Sequence, residues 1–308
     1  MKNPIGLAKR RNPDGFIIVA VLWILGALSA LISIYAIYVI DTATAFAVHD
    51  ERLRTEALVS AGIELAAYHL VTPTNPRPTN GRFHFRVETT DISVEFRSEA
   101  ARIDLNAAPK ELLIGLFATV GLRQDVAEHY ADRIMRWRTA TPNRDADASG
   151  LRAAASGAVE GGGRFMHVHE ITLVPGLPKA FIERILPFVT VYSGRPQVNI
   201  IDAAPEVIAA LPGMTRERWT AILAQRQATP LNRQGVMSLL GAANGYATAE
   251  GSTASRVVVR ITFDNGRQAG AEVVILVFEG GDEPYSILTW RDDLDHFRDD
   301  QSPSGRSK

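Results

Sequence analysis

The sequence predicts an α+β fold: a long N-terminal helix packed on a small antiparallel sheet, with a large helical domain inserted between the strands. Three observations carry this. Residues 16–40 hold no charged side chain. Short runs alternating apolar and polar occur on both sides of the chain's middle, at 82–88 and 92–97 and again at 256–263, 271–278 and 285–290. Between them, residues 106–226 are rich in Ala, Leu and Arg and follow a helical period.

The 25 residues from Phe16 to Ile40 span roughly 37 Å as a helix, enough to cross a hydrocarbon core of about 30 Å. Lys2, Lys9, Arg10 and Arg11 precede them, which predicts a cytoplasmic N-terminus and residues 41–308 on the outer face of an inner membrane. A secretory signal has an apolar core of only about 7–15 residues, so the run is too long for one. A plain single-pass anchor is the simpler alternative. The short basic head, however, ends Pro13-Asp14-Gly15-Phe16 and passes at once into the apolar run. Gly15 and Pro13 discourage helix and predict an extended, reachable peptide bond at the membrane rim.

The net charge of −1 hides an asymmetry, because the head is basic and the body mildly acidic. That is a poor starting point for a nucleic-acid binder. With no cysteine in the chain, disulfides, thiolate zinc sites and cysteine nucleophiles are excluded.

Beyond the membrane segment, Phe46, Leu53, Ala57, Ala61, Leu65 and Tyr68 recur on one helical face, so the helix is expected to continue as an amphipathic half. Three prolines and a glycine in residues 72–81 stop it. A hairpin follows, with Thr89-Thr90-Asp91 between its strands. Asp264-Asn265-Gly266 is a second turn signal. The tail, 292–308, is acidic and then rich in Ser, Gly and Lys.

The middle block repeats itself. Ile103 to Leu112 matches Val198 to Val207 after a one-residue adjustment. In both, an Asp or Asn can bond nearby backbone N–H groups, and a proline stands at a helix start. Val174-Pro175-Gly176-Leu177 and Leu211-Pro212-Gly213-Met214 are two helix-hairpin-helix turns, with Val120-Gly121-Leu122 a looser third. Residues 198–226 therefore resemble the DNA-binding module of membrane-anchored competence proteins. In that module a Gly-x-Gly turn offers backbone N–H groups to phosphate. Here the second glycine is replaced by Thr215 in one turn and by Pro178 in the other, and proline has no donor.

No catalytic constellation stands out, and no enzymatic activity is expected. His167-Val168-His169-Glu170 lacks a third ligand at a recognisable spacing and is expected to lead into a helix bearing Ile171 and Leu173. Asp145 and Asp147 alternate as at the start of a calcium loop, but lack the glycine and closing glutamate of an EF-hand.

The Gly15-Phe16 junction resembles a type IV prepilin leader. Together with Asp104-Leu105-Asn106-Ala107-Ala108-Pro109, Arg136-Trp137-Arg138, Phe165 to Gly176 and Val198 to Ala204, it makes the chain similar to the K-type minor pseudopilins of the type II secretion system. That resemblance implies a pilin-like fold with a helical insertion. It implies cleavage by prepilin peptidase between Gly15 and Phe16, N-methylation of Phe16, and a place at the tip of a periplasmic pseudopilus. The implied partners are the I and J minor pseudopilins, the major pseudopilin and the inner membrane, with no nucleic acid. Ala20 stands where most pilin-like subunits carry glutamate, which is the K-type pattern. The family's acids after the Trp-Arg pair, associated with calcium, are Thr139-Ala140-Thr141 here. The organisation this implies is a leader (1–15), a transmembrane half-helix (16–40) and an amphipathic half (41–71). A sheet (81–103 and 255–291), an inserted domain (104–228) and the tail complete it.

Overall fold

The computed structural model describes residues 14–72, 77–139, 163–228, 230–278 and 283–292. Helix α1 runs from Asp14 to Val71. The chain divides into two units, residues 1–57 and 58–308, and the second holds everything but the lower part of α1.

In the second unit, five strands form one antiparallel sheet in the order β1-β2-β7-β8-β9. They are β1 (Asn80–Val87), β2 (Thr90–Ser98), β7 (Ala254–Thr262), β8 (Gln268–Val277) and β9 (Tyr285–Arg291). The turn between β1 and β2 is Glu88-Thr89, one residue earlier and shorter than expected, and Glu88 enters the left-handed region at φ 54°. Two-residue hairpins demand such a φ to match strand twist. Between β7 and β8, Gly266 adopts φ 78° and its N–H bonds Phe263 O at 3.0 Å, as the Asp-Asn-Gly signal predicts.

One face of the sheet is apolar. Ile92, Val94 and Phe96 of β2 stand opposite Ile261, Val259 and Val257 of β7. Against them pack Leu58, Val59, Ile63, Ala66, Ala67 and Leu70 of α1, in a single buried cluster. This corrects the expected face of the helix: Leu65 and Tyr68 point outward, 39% and 67% exposed, and Leu53 is 52% exposed. Several apolar periods coexist on this Ala- and Leu-rich helix, and the one matching the sheet's β-branched surface wins. Gly62 lies where a Cβ would come within 3.0 Å of the Val259 methyls, so its bare backbone lets the helix approach. Tyr285 of β9 donates to Glu64 of α1 at 2.7 Å. Burial, that bond and the Glu64 charge raise the phenol pKa to about 12.

The helical domain enters after β2 and leaves before β7, two strands that are neighbours in the sheet. It has its own core, running from Ile103 through Phe117, Ile134, Phe181 and Ile208 to Ala247. Val236, Leu240 and Ala243 belong to this core, so the packed domain continues beyond residue 228. The region expected as loop up to Thr253 contains a helix, Arg233–Ser238, and a 3-10 turn, Gly241–Tyr246.

The internal repeat is visible as geometry. In the first half β3 (Ile103–Asp104) pairs in parallel with β4 (Val189–Thr190); in the second, β5 (Val198–Asn199) pairs in parallel with β6 (Ala247–Thr248). Leu105 N bonds Thr190 O at 2.8 Å, and Ile200 N bonds Thr248 O at 2.9 Å. Asp104 accepts from Asn106 N at 2.7 Å and Ala107 N at 3.1 Å; Asn199 accepts from Ile201 N at 2.8 Å. A helix follows each: α2 (Lys110–Thr119) after Pro109, and α5 (Pro205–Ala209) with Pro205 at its first position. Arg138, at the end of α3 (Gln124–Thr139), donates to Ala108 O at 2.7 Å, and Arg226, at the end of α6 (Arg216–Arg226), to Ala203 O at 2.7 Å. Among the described residues between them, α4 spans Lys179–Ile185.

Candidate functional site

Residues 14–17 are already helical, so the Gly15-Phe16 bond lies in helix rather than in extended chain. Glycine's deficit of about 1 kcal/mol is too small to hold back a helix that a long apolar run propagates. From Ile18 to Val39 the mean hydropathy is 2.4 and none of the segment is buried; by length and composition it can cross a membrane. Trp23 is 77% exposed, as expected of a surface built for lipid or for other helices. Ser33 closes its hydroxyl on Ser29 O at 2.9 Å and Thr42 on Tyr38 O at 2.7 Å, so these donors are satisfied without water. Ala20 is half-buried and carries no charge into this segment.

The second feature is an ionic joint between the sheet and the inserted domain. Glu99, directly after β2, is 1% exposed. Its carboxylate takes a two-pronged ion pair from Arg256 of β7, Nε to Oε1 at 2.8 Å and Nη2 to Oε2 at 3.2 Å, and a hydrogen bond from Thr190 of β4. Arg256 also donates to Glu272 of β8. Burial alone would push the Glu99 carboxyl up. The charges of Arg256 and Arg102 and the bonds from Arg256 and Thr190 outweigh it and hold the group below the ordinary glutamate range. Burial pulls at Arg256 in the opposite sense, and its two carboxylate partners keep it firmly protonated. Around this joint, Ser98 Oγ accepts from Ser252 N at 2.8 Å, and Asp202 accepts from Asn80 and Asn199. The partners of this joint lie far apart in the chain. Its one sequence signal is alternation: Arg256, Val258 and Arg260 share the strand face opposite the apolar one.

The helix-hairpin-helix turns have the expected backbone. Gly176 and Gly213 adopt φ 76° and 71°, and each turn closes on itself, Leu177 N to Val174 O at 3.4 Å and Met214 N to Leu211 O at 3.0 Å. The third copy differs in kind. Gly121 (φ 90°) ends α2, with Leu122 N bonded to Phe117 O at 3.0 Å, the pattern of a Schellman cap. Thr215 caps α6 through Arg218 N at 3.4 Å, and Arg133 covers the Gly176 turn by donating to Pro175 O. These turns hold helices together and offer phosphate no paired glycine amides.

His167 meets the Tyr192 hydroxyl at 3.1 Å, and residues 168–173 form a 3-10 helix with Ile171 buried. Among the described residues, no three of His, Cys, Asp and Glu stand together as a metal-ligand group. Asp145 and Asp147 lie outside the described residues. Trp137 stacks on Phe165, 6.2 Å between centroids, and so belongs to the core of the insertion.

Residues 95–194 match the family model of type II secretion system protein K. No curated protein matches the chain. Among solved structures, it is similar to a chain of the GspK-GspI-GspJ complex of the type 2 secretion system from enterotoxigenic Escherichia coli. The identity is 17% and the TM-score 0.53, covering 82% of this chain and 99% of that one. The likeness shows a common fold: helix on sheet with a helical insertion.

Proposed function

We propose that this chain, whose residues 95–194 match the family model of type II secretion system protein K, works as a minor pseudopilin, a structural subunit with no catalysis of its own. The observation that carries the reading is a helical domain inserted between adjacent strands of a helix-on-sheet fold, in a chain that also bears an exposed apolar span. A DNA-binding role is not favoured, because the turns lack the paired glycines and the body is acidic.

In this reading the basic head stays in the cytoplasm and the body faces the periplasm. Prepilin peptidase cuts between Gly15 and Phe16, and the new amine of Phe16 is methylated. Ala20 follows from tip placement: a carboxylate in hydrocarbon is costly without a partner, and a tip subunit has no earlier subunit's amine to meet. Counterparts of the I and J subunits named with the similar structure are the proposed neighbours at the tip, with the major pseudopilin below.

Gly15→Ala is expected to leave the long form in membranes and to reduce secretion. Mass spectrometry of the mature protein should find an N-terminal methylated Phe16. Normal processing and secretion in the variant would overturn the reading.

A further inference from the structure

Between the sheet face opposite α1 and the inserted domain lies a cavity of about 210 Å³, lined among others by Arg97, Arg102, Arg256 and Arg260. A second space of about 460 Å³ continues it along β1, adding Arg82 and Arg226. Four acids also line the seam, but each has a donor already. Glu99 and Glu272 are held by Arg256, Glu95 by Arg82 at 3.0 Å and Arg97 at 3.3 Å, and Asp202 by Asn80 and Asn199. Arg97, Arg226 and Arg102 keep donors in return. Arg97 gives Glu95 one bond from a side chain still 52% exposed. Arg226 spends one nitrogen on Ala203 O. Arg102 is half-buried at the cavity wall; its backbone N–H bonds Glu99 O at 3.1 Å, while its guanidinium makes no direct hydrogen bond or ion pair with a described residue.

A guanidinium has five donors and no acceptor, and one that lines a cavity without a directly bonded carboxylate can take an anion or water there. Burial and the neighbouring Arg256 lower the Arg102 pKa to about 10, against the opposing pull of Glu99 and Glu272, as expected of a cation short of direct ligands.

We propose that this seam is a binding site for a small free carboxylate, with Arg102 as its principal ligand and Arg97 closing over it. A carboxylate matches the fork of a guanidinium and accepts only. The volume suits a short dicarboxylic acid, and the seam joins both folded parts, so occupancy would stiffen one against the other.

The test titrates succinate into the full-length chain in non-ionic detergent at constant ionic strength, by calorimetry. Saturable one-to-one binding is expected, weakened by about tenfold or more in Arg102→Met, as the loss of a charged hydrogen bond implies. Arg97→Gln, at an exposed side chain, should fold normally and bind several-fold more weakly. No saturable heat in the wild type, or equal affinity in Arg97→Gln or in folded Arg102→Met, would overturn the proposal.

Discussion

Gly115→Ala is expected to destabilise the inserted domain by about 3 kcal/mol, at the upper end of ordinary overpacking. Gly115 sits mid-helix in α2, where alanine would normally gain about 1 kcal/mol. A Cβ there would fall 1.9 Å from the carbonyl oxygen of Ala210 and 2.8 Å from its carbon. The obstacle is backbone, so no rotamer change relieves it; α2 and the end of α5 must separate. Because α2 belongs to the first repeat and α5 to the second, the variant pries apart the two halves. Gly245→Ala, with nothing within 4 Å of the added carbon, is the control and should be near neutral. Urea unfolding of the detergent-solubilised chain measures both; equal midpoints would show that the helices can shift freely.

The second large effect belongs to Glu99. Glu99→Ala should cost about 3–5 kcal/mol, because it leaves Arg256 buried with one counter-charge fewer. The same group sets an acid limit. Its folded pKa is depressed, so its stabilisation is complete above the unfolded glutamate value of about 4.3 and fades as pH falls through the lower folded value. Wild type should therefore lose stability on acidification faster than the alanine variant, with the two curves converging at low pH. Parallel curves would mean that Glu99 is not the titrating group.

Local features of the fold were legible in the sequence wherever one segment carries its own pattern. The charge-free run, the β1–β2 alternation and the paired Pro-Gly turns each declare themselves within a dozen residues. What stayed hidden depended on a partner far along the chain. Glu99 reads as an ordinary acid until Arg256, 157 positions away, folds against it. The buried face of α1 was ambiguous because its alanines and leucines satisfy more than one helical stripe, and only the shape of the sheet chooses. The extent of the insertion was underestimated because residues 230–248 break helix after a turn or two, yet Val236, Leu240 and Ala243 fill the same core. At Gly15-Phe16 the sequence supplies the residue types, while the helical conformation of that bond emerges only from the propagated helix behind it.

Ser98 and Ser255 face each other across β2 and β7, with the whole inserted domain strung between them. As an unfolded tether, that intervening chain would impose a closure entropy on this strand pair, though each doubling of its length adds only about 0.6 kcal/mol. A folded insert whose ends already lie side by side shortens the effective loop to a few residues. Early condensation of the insert would therefore lower the closure cost of the central β2–β7 pairing. By the same geometry the insert is separable, and a short turn joining Ser98 to Ser255 would leave a continuous meander for α1 to cover.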